Sequence, residues 1–264
     1  MNTRSLRLAA AVLVSLAACA RSTPRGALAV APAAELAAIQ RAPDRSGERI
    51  YEGRVFSRDS TRTAPLYWYD RRVRAAGDQL ISTHITRDSA GSVVVTQAAE
   101  HDANYALHRA NLIQRQSGLA GSVEVVGKEL RFTLVKDGRV STATESADAP
   151  LIAGPTTFGF IVTRWDALQR GEAVPVRFAV LEMNKSIGFV LERVGEDGGR
   201  TTIRMSASSW LVRRFLAPTY FYFDSASRKV VGYDGRVPPL EQVGDELRTL
   251  DARVRYTHVA ASFR

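Results

Sequence analysis

Past residue 46, apolar side chains recur at every second position over short runs, and Gly, Asp, Asn and Ser separate the runs. That is the period of a half-buried strand rather than of a helix. Leu130, Phe132 and Leu134 share one face of such a run, Arg131 and Thr133 the other, and the run ends at Lys136-Asp137-Gly138. Asp-Gly supplies the positive φ angles of a two-residue hairpin turn, so 139–144 is expected to return beside it. Val174, Val176, Phe178 and Val180 form one side of a second run, and after a turn at Met183-Asn184-Lys185 the residues Ile187, Phe189 and Leu191 supply the partnering face. A turn at 196–199 leads to a strand over 201–206, and 220–223, 228–233 and 253–259 complete this half. Earlier strands are expected at 49–57, 66–73, 79–86, 92–98, 105–114 and 122–126.

Roughly a dozen strands joined by short turns predict a mainly β fold, a meandering antiparallel sheet curved into a barrel or half-barrel. One helix stands out, at 156–169. Gly154-Pro155-Thr156 opens it, Gly171 closes it, and Phe158, Ile161, Val162, Trp165 and Leu168 fall at helical spacing, so one apolar stripe packs on the sheet. Residues 47–264 therefore read as a single β-rich domain.

The start of the chain has a different character. Arg4 and Arg7, with no acidic neighbour, precede a run over 8–18 that is apolar except for Ser15. The run is shorter than the about 20 residues that a spanning helix needs, which makes it the apolar part of a secretory signal. Leu16-Ala17-Ala18-Cys19 resembles the lipobox of bacterial lipoproteins. That resemblance implies a signal peptide over 1–18 and lipid attachment at Cys19. It also implies several acyl chains, which anchor stably at about 0.8 kcal/mol per buried CH₂. Cys19 is the only cysteine, so no disulfide can form within the chain. The next residues are Ala20 and Arg21 rather than an aspartate, which by the same resemblance implies the outer membrane, with the domain facing the periplasm. The Ala-, Pro- and Arg-rich stretch 19–46, with one short helical piece at 33–41, reads as a flexible tether.

The formal charge is +9, and only Lys128, Lys136, Lys185 and Lys229 among the 36 basic residues are lysines. Such a skew reflects a GC-rich genome more often than a binding code. A basic exported protein can still meet anionic headgroups through its surface field. Nucleic acid is not an expected partner, because export removes the protein from it and no basic helix, zinc finger or RNA-binding motif occurs.

Glu100-His101-Asp102, with His108 beyond, is the most suggestive polar cluster, since imidazole and carboxylate ligate zinc. Its spacing matches no metal signature and sets His101 and His108 on opposite faces of a continuous strand, so a polar loop is expected. His84 and His258 fall within strands and read as half-buried, hydrogen-bonded residues. No nucleophile elbow or phosphate loop is present. No catalytic residue, metal or cofactor is expected, and the chain does not read as an enzyme.

What remains is apolar surface. Trp165, Phe178, Phe189, Trp210 and Tyr222 are the candidates to line a concavity that holds an acyl chain or another apolar ligand, the competing reading being that they only fill the core. Arg71-Arg72 beside Trp68 and Tyr69, and Arg213-Arg214 beside Trp210, read as solvated strand ends, with anionic headgroups as the alternative.

The segment 154–239, through GPTTFGFIVTRWDALQRGE, RFAVLEMNKSIGFVLE and YFYFDSASRKVVGYDGRVPP, resembles uncharacterised bacterial exported proteins with a curved antiparallel sheet. Similar sheets occur in lipoprotein carriers and periplasmic lipid-binding proteins, a likeness of architecture that does not establish function. Two functions stay open: a membrane-anchored envelope lipoprotein that binds a lipid or other apolar ligand, and a structural or assembly lipoprotein that engages another envelope protein.

Overall fold

Each alternating run of the sequence becomes a strand of one sheet. The computed structural model describes residues 29–30, 47–58 and 63–259. The signal, Cys19 and the helical piece at 33–41 lie outside the described residues. The first half contains β1 (Ala29–Val30), β2 (Glu48–Ser57), β3 (Tyr67–Ala76), β4 (Gln79–Arg87), β5 (Val93–His101), β6 (Leu107–Gln114), β7 (Leu119–Val126), β8 (Glu129–Lys136) and β9 (Arg139–Ser146). The second contains β10 (Leu151–Ile152), β11 (Val174–Val180), β12 (Lys185–Asp197), β13 (Arg200–Ala207), β14 (Thr219–Asp224), β15 (Val230–Val243) and β16 (Glu246–His258).

The sheet is 16-stranded, in the order β1-β9-β8-β7-β6-β5-β4-β3-β2-β16-β15-β14-β13-β12-β11-β10. It is thus two antiparallel meanders, β2 to β9 and β11 to β16, fused by the pairing of β2 with β16. Only β10 and β11 run parallel, because a helical crossover separates them. The turn chemistry works as the sequence implies: Asp137 and Gly138 adopt φ of 52° and 71° between β8 and β9.

Three elements differ from expectation. The helix expected over 156–169 is a 3-10 turn at Gly154–Thr156 followed by two short helices, α1 (Thr157–Thr163) and α2 (Trp165–Gln169). They meet at Arg164, with φ −105° and ψ 10°. Thr163 contributes to the break, since its hydroxyl donates back to the Phe160 carbonyl at 2.8 Å, a local bond that competes with helix continuation. Second, β15 and β16 continue through residues 234–252, where Pro238-Pro239 suggests a loop. The prolines fall in a register shift between Val237 and Leu240, a bulge that needs no ladder N–H from them. Third, Ala29–Val30, within the expected tether, pairs antiparallel with Val140 and Arg139, because the open edge of β9 offers unpaired backbone groups to an extended segment.

The helical crossover occupies part of the concave face. Phe158 of α1 meets Tyr256, Phe221 and Tyr51 with ring centroids 5.4, 5.8 and 5.9 Å apart. Trp165 of α2 stands edge-on to Phe223 at 5.5 Å. Removing each such ring from water contributes roughly 1.5–3 kcal/mol, so the crossover is held by the sheet it packs on rather than by its own short helices. Between β9 and the β11–β12 hairpin, Glu145 accepts from the Ser186 backbone N–H at 3.1 Å and from Arg177 at 3.3 Å. Side chains thereby join two parts of the curved sheet that do not pair through their backbones.

Candidate functional site

Beside α1 the concavity is not filled. A cavity of about 460 Å³ lies between α1 and the sheet, within the size range of small-molecule sites. Its wall is largely apolar: Val55, Leu112, Phe158, Met205, Phe221 and Val237 contribute, and Phe178 and Phe189 meet edge-on at 6.3 Å. Tyr69, Tyr233 and Tyr256 also line it, as do His84, Thr86 and Gln97 from β4 and β5. The Tyr69 hydroxyl donates to that of Tyr256. Burial raises both phenols well above their ordinary range, with each other's proximity adding to the effect on Tyr69, so both are neutral donors and acceptors. Arg58 and Arg236 mark the rim, paired with Asp234 at 3.1 Å and Asp251 at 2.9 Å.

Of the residues singled out from sequence, Phe178 and Phe189 line this cavity. Trp165, Trp210 and Tyr222 do not. Trp165 is buried behind α2 against Phe223, where it fills the core. Trp210 lies in the short helix α3 (Trp210–Arg213) and is 68% exposed. Tyr222 points to the convex face, because strand alternation gives the inside to Phe221 and Phe223, and Arg200 sits 5.0 Å from its ring centroid.

Next to the cavity lies a buried polar cluster. Arg71, read from sequence as a solvated strand end, is 1% exposed. Only its neighbour Arg72 points outward, and it pairs with Asp70 at 2.9 Å. Arg71 donates to the Ser82 hydroxyl at 3.0 Å, and its guanidinium carbon lies 5.9 Å and 5.8 Å from the rings of Tyr51 and Tyr105. The His101 Nδ1–H donates to the Asp102 carbonyl at 2.7 Å. That fixes the tautomer of a neutral ring, so Nε2 accepts from Ser82 at 2.8 Å. Tyr105, at φ 62°, stacks on His101 with centroids 4.7 Å apart. His84 Nε2 and the Tyr51 hydroxyl are hydrogen-bonded at 3.1 Å.

Burial lowers the pKa of His101 and, with Arg71 adding to it, that of His84, which falls well below the usual imidazole range. Burial pushes the Tyr51 phenol up to about 12. Arg71 is thus a fixed cation among neutral rings.

The Glu100, His101, Asp102 and His108 group does not converge. His101 is buried inside, His108 is exposed, and Glu100 lies on the other face of β5. Asp102 organises its own loop, accepting from the Asn104 and Ala106 N–H groups at 2.8 Å. Among the described residues no group of three or more His, Cys, Asp or Glu is placed to hold a metal. His258 donates to the Val230 carbonyl at 2.7 Å, as its strand position suggests.

No protein-family model and no curated protein matches the sequence. Among solved structures the chain is similar to a β-barrel-like protein of a domain of unknown function, DUF1849, from Brucella abortus. The superposition covers 80% of this chain and 96% of that one, at 9% identity and a TM-score of 0.46.

Sequence reasoning did not single out Tyr69, Tyr233 and Tyr256 for the cavity, or Ser82 and Tyr105 for the cluster. The cluster is assembled by register: Tyr51 pairs with Arg71, Arg71 with His84 and Leu80 with His101 across β2, β3, β4 and β5. One signal was available, since Tyr67, Tyr69, Arg71 and Val73 alternate on one face of β3.

Proposed function

We propose that this protein is an envelope lipoprotein, tethered through Cys19 to the outer membrane with its domain in the periplasm, and that its cavity binds a lipid or another apolar ligand. The observation that carries the reading is the apolar cavity of about 460 Å³. Well-packed interiors leave few voids larger than a water molecule. The space opens to solvent at its rim, so its apolar wall meets water, and covering that wall with an apolar ligand is favourable by roughly 25 cal/mol per Å². Water suits the end bearing His84, Gln97 and the tyrosines; an alkyl chain suits the wall of Phe178, Phe189 and Phe221.

The function is binding rather than catalysis. The Ser82 hydroxyl does meet an imidazole, Nε2 of His101, but neither residue lines the cavity, and the same serine oxygen is held by Arg71; His84, which does line it, is engaged by the Tyr51 hydroxyl. The alternative, a scaffold that only presents a surface to an envelope protein, has no use for a hollow interior.

A fluorescent long-chain fatty acid tests this reading. Saturable one-to-one binding, competed by unlabelled fatty acid, is expected. Phe178→Asp at the half-buried wall and Val237→Trp across the cavity should each weaken it at least tenfold, or about 1.4 kcal/mol, with the circular dichroism spectrum unchanged. Binding that ignores both substitutions removes the cavity from the account.

A further inference from the structure

Beside the cavity, residues 208–218 turn their smaller apolar side chains inward and their larger ones out. Val212 and Leu216, four apart, pack on the core. Trp210 is 68% and Phe215 85% exposed, and Arg213 and Arg214 between them are exposed as well. Arg213 donates one amino group to the Ser208 carbonyl at 3.1 Å, which braces α3 and leaves the rest of its fork in solvent. No acidic residue occurs from 198 to 223, while Arg200, Arg204, Arg213 and Arg214 do. Leu216, Ala217 and Pro218 then run directly into the cavity wall. Turns are made with Gly, Pro, Asn, Asp and Ser; nothing in the local backbone requires Trp and Phe in water, and exposed apolar groups ringed by charge mark interaction sites.

We propose that residues 210–215 dock on the surface of an anionic phospholipid bilayer. Trp210 and Phe215 enter the headgroup layer, where aromatic side chains are favoured. Arg213 and Arg214 engage phosphate oxygens, for which the planar guanidinium fork is suited. Charge complementarity selects the anionic bilayer, and the continuity of the loop with the cavity wall sets the mouth against lipid. The docking stands without the cavity; only its role as a portal rests on the ligand-binding reading.

The full chain is reconstituted into vesicles of phosphatidylcholine alone or mixed with phosphatidylglycerol, with the acyl chains brominated near the glycerol. Quenching at position 210 is the difference between the protein and Trp210→Phe, which removes the contribution of Trp68 and Trp165. A severalfold greater quenching in the anionic vesicles is expected, and the Arg213→Glu/Arg214→Glu pair should abolish that excess. Both side chains are exposed, and because Arg213 also braces α3 through the Ser208 carbonyl, Arg214→Glu alone is measured beside the pair and should lower the excess as well. Trp210 left unquenched, equal quenching in the two vesicles, or quenching unmoved by the charge reversal overturns the proposal. So does a photo-crosslinker at position 215 that captures protein instead of lipid in whole envelopes. The fluorescent fatty acid is measured on the same samples: docking lost with binding kept leaves the cavity reading intact, and the reverse leaves the docking intact.

Discussion

Gly159 joins the helical crossover to the buried polar cluster, and replacing it with alanine separates two opposing effects. Alanine favours a helix over glycine by about 0.8–1.0 kcal/mol. A Cβ at position 159, however, would lie 1.9 Å from Cζ and 2.0 Å from Cε1 of Tyr105. That ring is buried, stacked on His101 and faced by Arg71, so it cannot swing aside without losing those contacts. Forcing an extra carbon into such packing costs typically about 1–3 kcal/mol. Subtracting the helix gain leaves a loss of about 0–2 kcal/mol, towards the upper end because the clash is with a ring that cannot move, read as a lower urea midpoint with an unchanged slope. In a Tyr105→Ala background the obstruction is gone, and the same substitution should become neutral or stabilising. The coupling from the double-mutant cycle is then at least about 1 kcal/mol. A stabilised single variant, or equal effects in the two backgrounds, would refute the packing of Tyr105 on α1.

Ser82→Ala should cost roughly 1–3 kcal/mol by urea unfolding, because it withdraws one hydrogen-bond partner from both Arg71 and His101; a change within experimental error would contradict the polar chain. The histidines make stability depend on pH. Their folded pKa values are depressed, so the unfolded chain takes up the protons first. Stability is full above about pH 6.5 and falls as pH drops toward the folded-state values, by up to about 1.4 kcal/mol per pH unit for each ring. His84→Gln should flatten that slope between pH 6.5 and 5, and an unchanged slope would clear His84 of the effect. Glu145→Ala, which removes the acceptor from Ser186 and Arg177, should speed amide exchange in β9 and β12 more than in β3 and β4; uniform exchange would deny it a joining role.

The sheet was legible because period-two alternation and turn residues are local signals. The runs at 130–134 and 174–191 gave both faces and both turns of their hairpins. The break at Arg164 was not legible, since the apolar stripe from Phe158 to Leu168 continues through it and only the back-bonding of Thr163 shows where the helix yields. Pro238-Pro239 hid the long β15–β16 hairpin, because a bulge and a loop share the same residues. The cavity was half legible: alternation put Phe178 and Phe189 on the inward face, but whether an inward aromatic meets a partner or a space depends on the opposite wall. Arg71 was misread because the Arg-Arg pair suggested solvent, although its alternation with Tyr67, Tyr69 and Val73 put it on the buried face.

The most direct test is native mass spectrometry of the full protein extracted gently from a bacterial envelope, with organic extraction of whatever stays bound. One apolar molecule per chain is expected, released on denaturation and missing from folded Phe178→Asp and Val237→Trp. A chain that is recovered folded and ligand-free, and that takes up no fatty acid when offered it, would contradict the claim that the cavity is a binding site.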